Sequence, residues 1–234
     1  MSAAEAAESA AGSDAGARRR VLALFDLDKT LTRSDTLRGY LVGFLRRHPA
    51  RLLRSPEGLA ALARFVLGDA DRGRLKAAWI HAVLGGSTRS ELAGWTACFV
   101  RELLQHGLLR DALGALAVHR DAGDHLVLLS ASPDLYVPAI ADALGFAQSL
   151  CTGLEWRDDR LTGRLTTANR RGAEKARCVT ALRAEHPQLP IVAYGNATSD
   201  LEHLALADRG VLVNGSPRAR RAAAHSGMDC VTWR

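Results

Sequence analysis

Four short runs of uninterrupted apolar residues punctuate the chain, at Val21–Phe25, Leu126–Leu129, Ile191–Tyr194 and Val211–Val213, and each stops at polar or glycine residues. Continuous apolarity, in place of the alternation of a half-exposed strand, predicts β-strands buried on both faces. Between these runs the spacing predicts helices at Leu108–Arg120, Leu135–Leu144, Ala173–Ala184 and Asp200–Ala207. A strand-helix-strand rhythm of this kind belongs to a parallel sheet covered on both sides. The expected architecture is a Rossmann-like α/β core whose ligand sits at the carboxyl ends of the strands.

The rhythm breaks between Thr36 and His106. Strand-like runs vanish there and helix punctuation replaces them. Pro49 and Pro56 precede an amphipathic stretch ending at Gly68, a segment from Leu75 to Leu84 is stopped by Gly85-Gly86, and Thr88-x-x-Glu91 forms a capping box opening a helix that ends at Gly107. Residues 36–106 therefore read as an inserted all-helical cap and 18–35 plus 107–234 as the core. Residues 1–17 read as a disordered tail, because positions 2–17 carry no large apolar side chain to offset the entropy of ordering.

Composition sharpens this picture in a few places. At 47% hydrophobic and 24% charged residues over 234 positions, the chain has the makeup of a folded globular protein, not a low-complexity or collagen-like one. Its net charge of +6 resides in the cap, where 11 Lys and Arg stand against 5 Asp and Glu. A cationic cap over a ligand site concentrates anionic substrates or rests on anionic lipid, and a solvated arginine-rich surface is the plain alternative. No nucleic-acid recognition motif accompanies the charge, so nucleic acid is not an expected partner. Cys98, Cys151, Cys178 and Cys230 form no CxxC pair and no zinc-like cluster, which suits reduced thiols in a cytoplasmic protein. No stretch is long and apolar enough to span a membrane, and Asp26 and Asp28 cut short the apolar run behind Arg18-Arg19-Arg20, so no export signal is expected.

Chemistry gathers where the strands end. The first stops at Phe25-Asp26-Leu27-Asp28-Lys29-Thr30-Leu31-Thr32. Two carboxylates one residue apart beside a buried strand are costly unless paired, hydrogen-bonded or bound to a cation, although such pairs also serve as turn and capping residues. The second run leads into Ser130-Ala131-Ser132-Pro133, which reads as a hydroxyl and a turn of N–H groups opening a helix, an arrangement that suits an anion; an N-cap serine is the alternative. After the third come Gly195-Asn196-Ala197-Thr198-Ser199-Asp200, whose oxygen-bearing side chains four residues apart suit a hard cation such as Mg2+. Lys175 opens a helix after Gly172, at the positive end of the helix dipole, where a nearby phosphate would account for a cation and a solvated lysine is the alternative.

In this order and at these separations, Asp26-Leu27-Asp28-Lys29-Thr30-Leu31-Thr32, the strand ending at Ser130, Lys175 and Gly195-Asn196-x-x-x-Asp200 resemble the four motifs of the haloacid dehalogenase-like (HAD) phosphatase superfamily, over essentially everything from Val21 to Trp233. The helical insertion directly after the first motif is similar to the branch holding phosphoserine phosphatase and phosphatidylglycerophosphatase C. Phosphoserine phosphatases typically show Ser-Gly-Gly and Gly-Asp-Gly-x-Asn-Asp at the second and fourth motifs, and this chain departs from both. Leu129-Ser130-Ala131-Ser132-Pro133 and Leu161-Thr162-Gly163-Arg164 are closer to the phosphatidylglycerophosphatase C-like relatives. Asp35 falls where phosphoserine phosphatases carry an acidic residue that meets the substrate amine, and it equally suits the N-cap of the first cap helix.

The resemblance implies the HAD fold and a Mg2+-dependent phosphomonoester hydrolase working through an aspartyl-phosphate. Asp26 is the implied nucleophile and Asp28 the general acid and base, with Ser130 and Lys175 completing the catalytic set. Leu27 and Ala131, through their backbone N–H groups, and Asp35 are the implied substrate contacts. The metal falls to the Asp26 carboxylate, the Asp28 carbonyl and the Asn196 and Asp200 side chains. Most relatives carry Asp in the place of Asn196, and Asn keeps the oxygen but drops the charge, which implies weaker Mg2+ binding.

An anionic phosphate ester is the implied substrate, and three readings stay open. They are a lipid phosphate such as phosphatidylglycerophosphate, a small soluble metabolite such as phosphoserine, and a phosphate-ligand-binding protein without turnover, weakened at Asn196. In the cap, Tyr40, Phe65, Trp79, Trp95 and Phe99 read first as packing between helices and second as an apolar wall for a greasy leaving group. Arg46, Arg47, Arg51 and Arg54 would then touch membrane phosphates, placing the protein at the inner face of the membrane as a peripheral one. Gly39, Gly43 and Gly107 are candidate hinge positions. Nothing in the sequence sets the oligomeric state.

Overall fold

The computed structural model describes residues 19–54 and 72–234. Strand β1 (Leu22–Phe25) leads through a tight loop into helix α1 (Thr36–Arg47) and a 3-10 turn (Pro49–Arg54). Helices α2 (Arg72–Leu84) and α3 (Arg89–Glu102) follow, and a wide π-type turn at Leu103–Gly107 ends the insertion. Next come α4 (Arg110–Asp121), β2 (His125–Pro133), α5 (Val137–Leu144), β3 (Gln148–Thr152) and a hairpin of β4 (Leu154–Arg157) and β5 (Arg160–Leu165). The chain continues through α6 (Ala173–Glu185), β6 (Ile191–Gly195), α7 (Leu201–Ala205), β7 (Arg209–Val213), α8 (Pro217–His225) and β8 (Asp229–Val231). The tail at 1–17 and the expected stretch from Pro56 to Gly68, Phe65 included, lie outside the described residues, as does the side chain of Arg54.

All four apolar runs are strands of one parallel six-stranded sheet ordered β3-β2-β1-β6-β7-β8. Their continuous apolarity has the expected cause. On β1, Ala23 and Phe25 pack into one layer with Leu116 of α4 and Val137 and Ile140 of α5, while Leu22 and Leu24 pack into the other with Val179 and Leu182 of α6 and Leu204 of α7. The fold is a Rossmann-like α/β core with a helical cap. β1 is central, with Leu22 opposite both His125 and Ile191. The loops that follow β1, β2 and β6 therefore meet at one edge of the sheet, the position at which such sheets bind ligands.

The cap helices stand over that edge. Thr88 and Glu91 form the expected capping box at the start of α3, with the Thr88 N–H donating to Glu91 Oε2 at 2.8 Å. Tyr40 is fully buried, its ring 5.0 Å from that of Tyr136 in the core and 5.1 Å from Phe99 in α3. Gly39 and Gly43 lie inside α1, and Gly43 lets Trp95 close in, since a Cβ there would stand 2.5 Å from the indole Cη2. Tyr40, Trp95 and Phe99 are thus packing between helices. Arg51 is a strut of the cap, donating to Gly85 O at 2.7 Å and Ser87 Oγ at 3.0 Å, and the Arg47 guanidinium lies 4.5 Å from the Trp95 ring.

Four features depart from the sequence pattern. β2 runs on through Pro133 and α5 opens only at Val137, so Ser130–Pro133 extend a strand and do not open a helix. The last expected helix is preceded by a 3-10 turn at Thr198–Asp200 and covers only Leu201–Ala205. Edge strands β3 and β8 carry too few buried side chains to have stood out. The β4–β5 hairpin, turned by Asp158 and Asp159 at positive φ, docks on the cap: Leu161 N–H donates to Ser87 O at 3.0 Å, Gly86 N–H to Leu161 O at 2.8 Å, and Arg160 Nη1 to Gly86 O at 2.7 Å. Among the described residues, no helix is long and apolar enough to cross a membrane.

Candidate active site

The loop after β1 is wound around one carbonyl. Leu27 O accepts the N–H groups of Thr30, Leu31 and Thr32 at 3.3, 3.0 and 3.1 Å, a curl closed by Lys29 at φ 61°. The curl presents Asp26 and Asp28 at the end of the sheet. Asp26, only 6% exposed, accepts from Thr30 Oγ1 at 3.0 Å on one oxygen and from Lys175 Nζ at 2.7 Å on the other. The same ammonium donates to Asp200 Oδ1 at 2.9 Å. Lys175 projects from the first turn of α6, whose N-cap Gly172 has a φ of 55° and ψ of −127°, a conformation that favours glycine. Asp200 is aimed from the far side by the turn after β6, its Oδ2 accepting the N–H groups of Asn196 and Ala197 at 3.1 and 2.9 Å.

This triad governs the charges. Burial pushes the Asp26 carboxyl up to about 7 against the pull of Lys175, with Asp200 and Asp28 adding to the rise. Burial works the same way on Asp200, but Lys175, His203 and the backbone N–H donors outweigh it and hold that carboxyl near 2. For Lys175, burial would lower the ammonium, yet Asp26 and Asp200 hold it above the usual lysine range. Behind Asp200 lies His203, 1% exposed, kept neutral by burial that draws it down to about 3; its Nδ1 is 3.9 Å from Asp200 Oδ1 and has no hydrogen-bond partner among the described residues.

Asp28 is tied differently. One oxygen accepts from the Thr36 N–H at 2.5 Å, the start of α1, and the other from Ser132 Oγ at 2.7 Å. Thr36 Oγ1 in turn lies 3.1 Å from both Ser132 Oγ and Tyr136 Oη, so a buried string of hydroxyls links the loop, the cap and β2. Burial, with Asp35 adding, raises the Asp28 carboxyl above its ordinary value against the donation from Thr36 and Ser132. Asp35 caps α1, accepting the Arg38 N–H at 2.8 Å.

A cavity of about 600 Å³ opens above these groups. Asp26, Asp28, Asp35, Ala131, Lys175, Asn196 and Asp200 line it, whereas Leu27 and Ser130 are fully buried, Ser130 Oγ accepting from the Ser132 N–H at 3.0 Å. Sequence reasoning passed over several residues here. Ser132, Thr30 and Thr36 support the two aspartates, and Lys76 of α2 reaches the cavity from the cap, donating to Ala131 O at 2.5 Å and to Asn169 Oδ1. The position of Ser132 in the second motif was a usable signal; the others carry no local mark. Opposite the charged floor the cap contributes Leu41, Val42 and Leu45 of α1 and Leu75, Trp79 and Val83 of α2.

The donor set at the floor suits a hard divalent cation. Its lining offers the oxygens of the Asp26 and Asp200 carboxylates, with the Lys175 ammonium bonded to both, and the Asn196 amide. No group of three His, Cys, Asp or Glu side chains among the described residues is placed to hold a metal unaided.

The sheet order, the insertion after β1 and an aspartate-lysine-aspartate floor define a hydrolase class. A family profile described as haloacid dehalogenase-like hydrolase matches residues 23–205, and the chain belongs to that family. It is 32% identical over 198 residues to protein CicA of Caulobacter vibrioides, covering 80% of this chain and 83% of that one. It is 28% identical over 220 residues to phosphoserine phosphatase SerB1 of Mycobacterium tuberculosis, covering 91% and 70%. A crystal structure of a protein of unknown function from Bordetella pertussis Tohama I superposes with a TM-score of 0.77 at 27% identity, covering 91% of this chain and 98% of that one.

Proposed function

We propose that this HAD-family enzyme is a Mg2+-dependent phosphomonoester hydrolase acting through an aspartyl-phosphate on Asp26. The observation that carries the reading is the Asp26 carboxylate, buried at the cavity floor and held by Lys175 and Thr30 with Asp200 alongside. In this reading residues 18–35 and 107–234 form the catalytic core, and 36–106 the cap that selects the leaving group.

An Asp26 oxygen bonds to phosphorus as the ester P–O bond breaks, and Asp28 gives its proton to the departing alkoxide. Its raised pKa, from burial, suits a proton donor. Asp28 then takes a proton from water as the water oxygen bonds to phosphorus, which releases inorganic phosphate and restores Asp26. Lys175 neutralises charge on the attacking carboxylate and on the phosphoryl oxygens. The Ala131 N–H, with the hydroxyl of Ser130 behind it, serves the phosphoryl group, and Leu27 its N–H. Asp26, Asp200, Asn196 and the Asp28 carbonyl would hold Mg2+, which when bound supplies further charge neutralisation at the phosphoryl group.

The leucines and Trp79 on the cap side favour an apolar leaving group, and hence a lipid phosphate met at a membrane surface. Asp35 on the same wall favours the second reading, a soluble amine-bearing phosphomonoester of the phosphoserine kind. The test is hydrolysis of an aryl phosphate by purified protein with Mg2+ and with excess chelator, with Asp26→Asn as control. Chelator-sensitive turnover absent from Asp26→Asn is the expected outcome. No turnover at high Mg2+ that Asn196→Asp restores would make the natural chain a binding protein.

A further inference from the structure

We propose that Tyr136 and Thr36 are positioning residues for the reaction: together with Ser132 they form a one-way string of hydroxyls that keeps the Asp28 proton on the side of the carboxyl facing the cavity. This rests on reading Asp28 as the acid that protonates the leaving group.

The hydroxyls are short of acceptors. Tyr136, Thr36 and Ser132 are only 0%, 2% and 3% exposed. Ser132 Oγ donates to Asp28 Oδ2 at 2.7 Å, and Thr36 Oγ1 lies 3.1 Å from both Ser132 Oγ and Tyr136 Oη. Among the described residues the phenol has no carbonyl or carboxylate oxygen within hydrogen-bond distance; its partners are the hydroxyls of Thr36 and, beside it, Ser132. Each of the three hydroxyls brings one proton, and Asp28 Oδ2 is the one acceptor in the cluster that brings none. All three protons find a place when Tyr136 donates to Thr36, Thr36 to Ser132 and Ser132 to Asp28. A phenol suits the start of such a string, because its oxygen shares electrons with the ring and donates better than it accepts.

Turning the Asp28 proton inward upsets this arrangement. Oδ2–H would then donate to Ser132, and four protons would share three hydroxyl oxygens. One proton would be left without an acceptor, or two would crowd onto one oxygen, which is costly for buried groups. The other carboxyl oxygen is held by the N–H of Thr36, the first residue of α1, at 2.5 Å. With both oxygens held from the wall, the proton is left to the face with which Asp28 lines the cavity, where a leaving group can take it. The phenol fixes the direction. Without it Thr36 Oγ1 is free to accept from Ser132, the string can run backwards, and Asp28 can donate into the wall in place of the substrate.

The test is the dependence of kcat/KM on the leaving group. 4-Nitrophenyl phosphate releases a phenolate stable enough to depart without a proton, whereas phenyl phosphate, of nearly the same shape, releases one that needs it. The ratio of kcat/KM for the first ester to that for the second therefore reads the acid, and Asp28→Asn sets its value when the acid is missing. Tyr136→Phe and Thr36→Val, both close in shape to the residues they replace, should raise the ratio about tenfold over wild type, the size of one lost hydrogen bond to a charged group. Thr36→Ser, which keeps the hydroxyl, should hold it at the wild-type value. Variants that slow both esters alike, or leave the ratio where it was, would overturn the positioning role while Asp28→Asn still raises it. A wild type that hydrolyses neither ester, or an Asp28→Asn ratio that does not rise, would instead strike the acid role of Asp28, and the string's function with it.

Discussion

Lys175 holds two buried carboxylates with one ammonium, and the three charges are stable only together. Replacing it with methionine keeps the volume and strands Asp26 and Asp200 without a counter-charge. Breaking a buried ion pair from one side costs about 3–5 kcal/mol, so Lys175→Met should lower the urea midpoint markedly as well as abolish hydrolysis. A variant that loses activity and keeps its midpoint would mean that the carboxylates find another cation or protonate without penalty. The same logic explains why Asp26 and Asp28 could be read from sequence. Ionisable residues beside a continuous apolar strand are locally anomalous, and the anomaly needs no partner to be noticed. Thr36 and Ser132 carry no such mark. Their meaning appears only when hydroxyls 96 positions apart are brought to 3.1 Å.

Helix packing carries its own test. Alanine in place of a helix-interior glycine usually stabilises by about 1 kcal/mol through propensity. At Gly43 the added methyl would stand 2.5 Å from Trp95, and overpacking of that kind costs about 1–3 kcal/mol, which outweighs the gain. Gly94 in α3 has open space at the same point. Gly43→Ala should therefore lower the thermal midpoint and change tryptophan fluorescence, while Gly94→Ala should raise the midpoint; equal shifts would refute the packing account. At this scale the sequence told where elements lie more reliably than where they stop. The four buried strands and the α3 capping box were legible because their signals are local. The end of β2 was not, since Ser130–Pro133 join the sheet through pairing of Pro133 with Thr152 of β3, a strand whose QSLCT pattern is itself too polar to announce. The β4–β5 hairpin, half-exposed and anchored to the cap, was missed for the same reason. α8 does carry local signals, Ser216 as N-cap and Pro217 in the first turn.

For the whole molecule, the family, the parallel sheet and the aspartates of the first motif are fixed by pattern, whereas the leaving group depends on a cap whose contacts span distant segments. The central place of β1 has a further consequence, one of timing. Leu22 must wait for His125 on one side and Ile191 on the other before its hydrogen bonds can form. At about 5–20 residues per second of synthesis, that apolar strand waits roughly ten to thirty seconds on the ribosome for its second neighbour, while contacts among the cap helices themselves, closer in sequence, are free to form. Nascent chains stalled before Ile191 emerges should stay protease-sensitive at Val21–Phe25 and should recruit chaperones, and chains stalled after β6 is out should become resistant. Resistance that arrives as early as β2 would show that one neighbour is enough to shelter the strand.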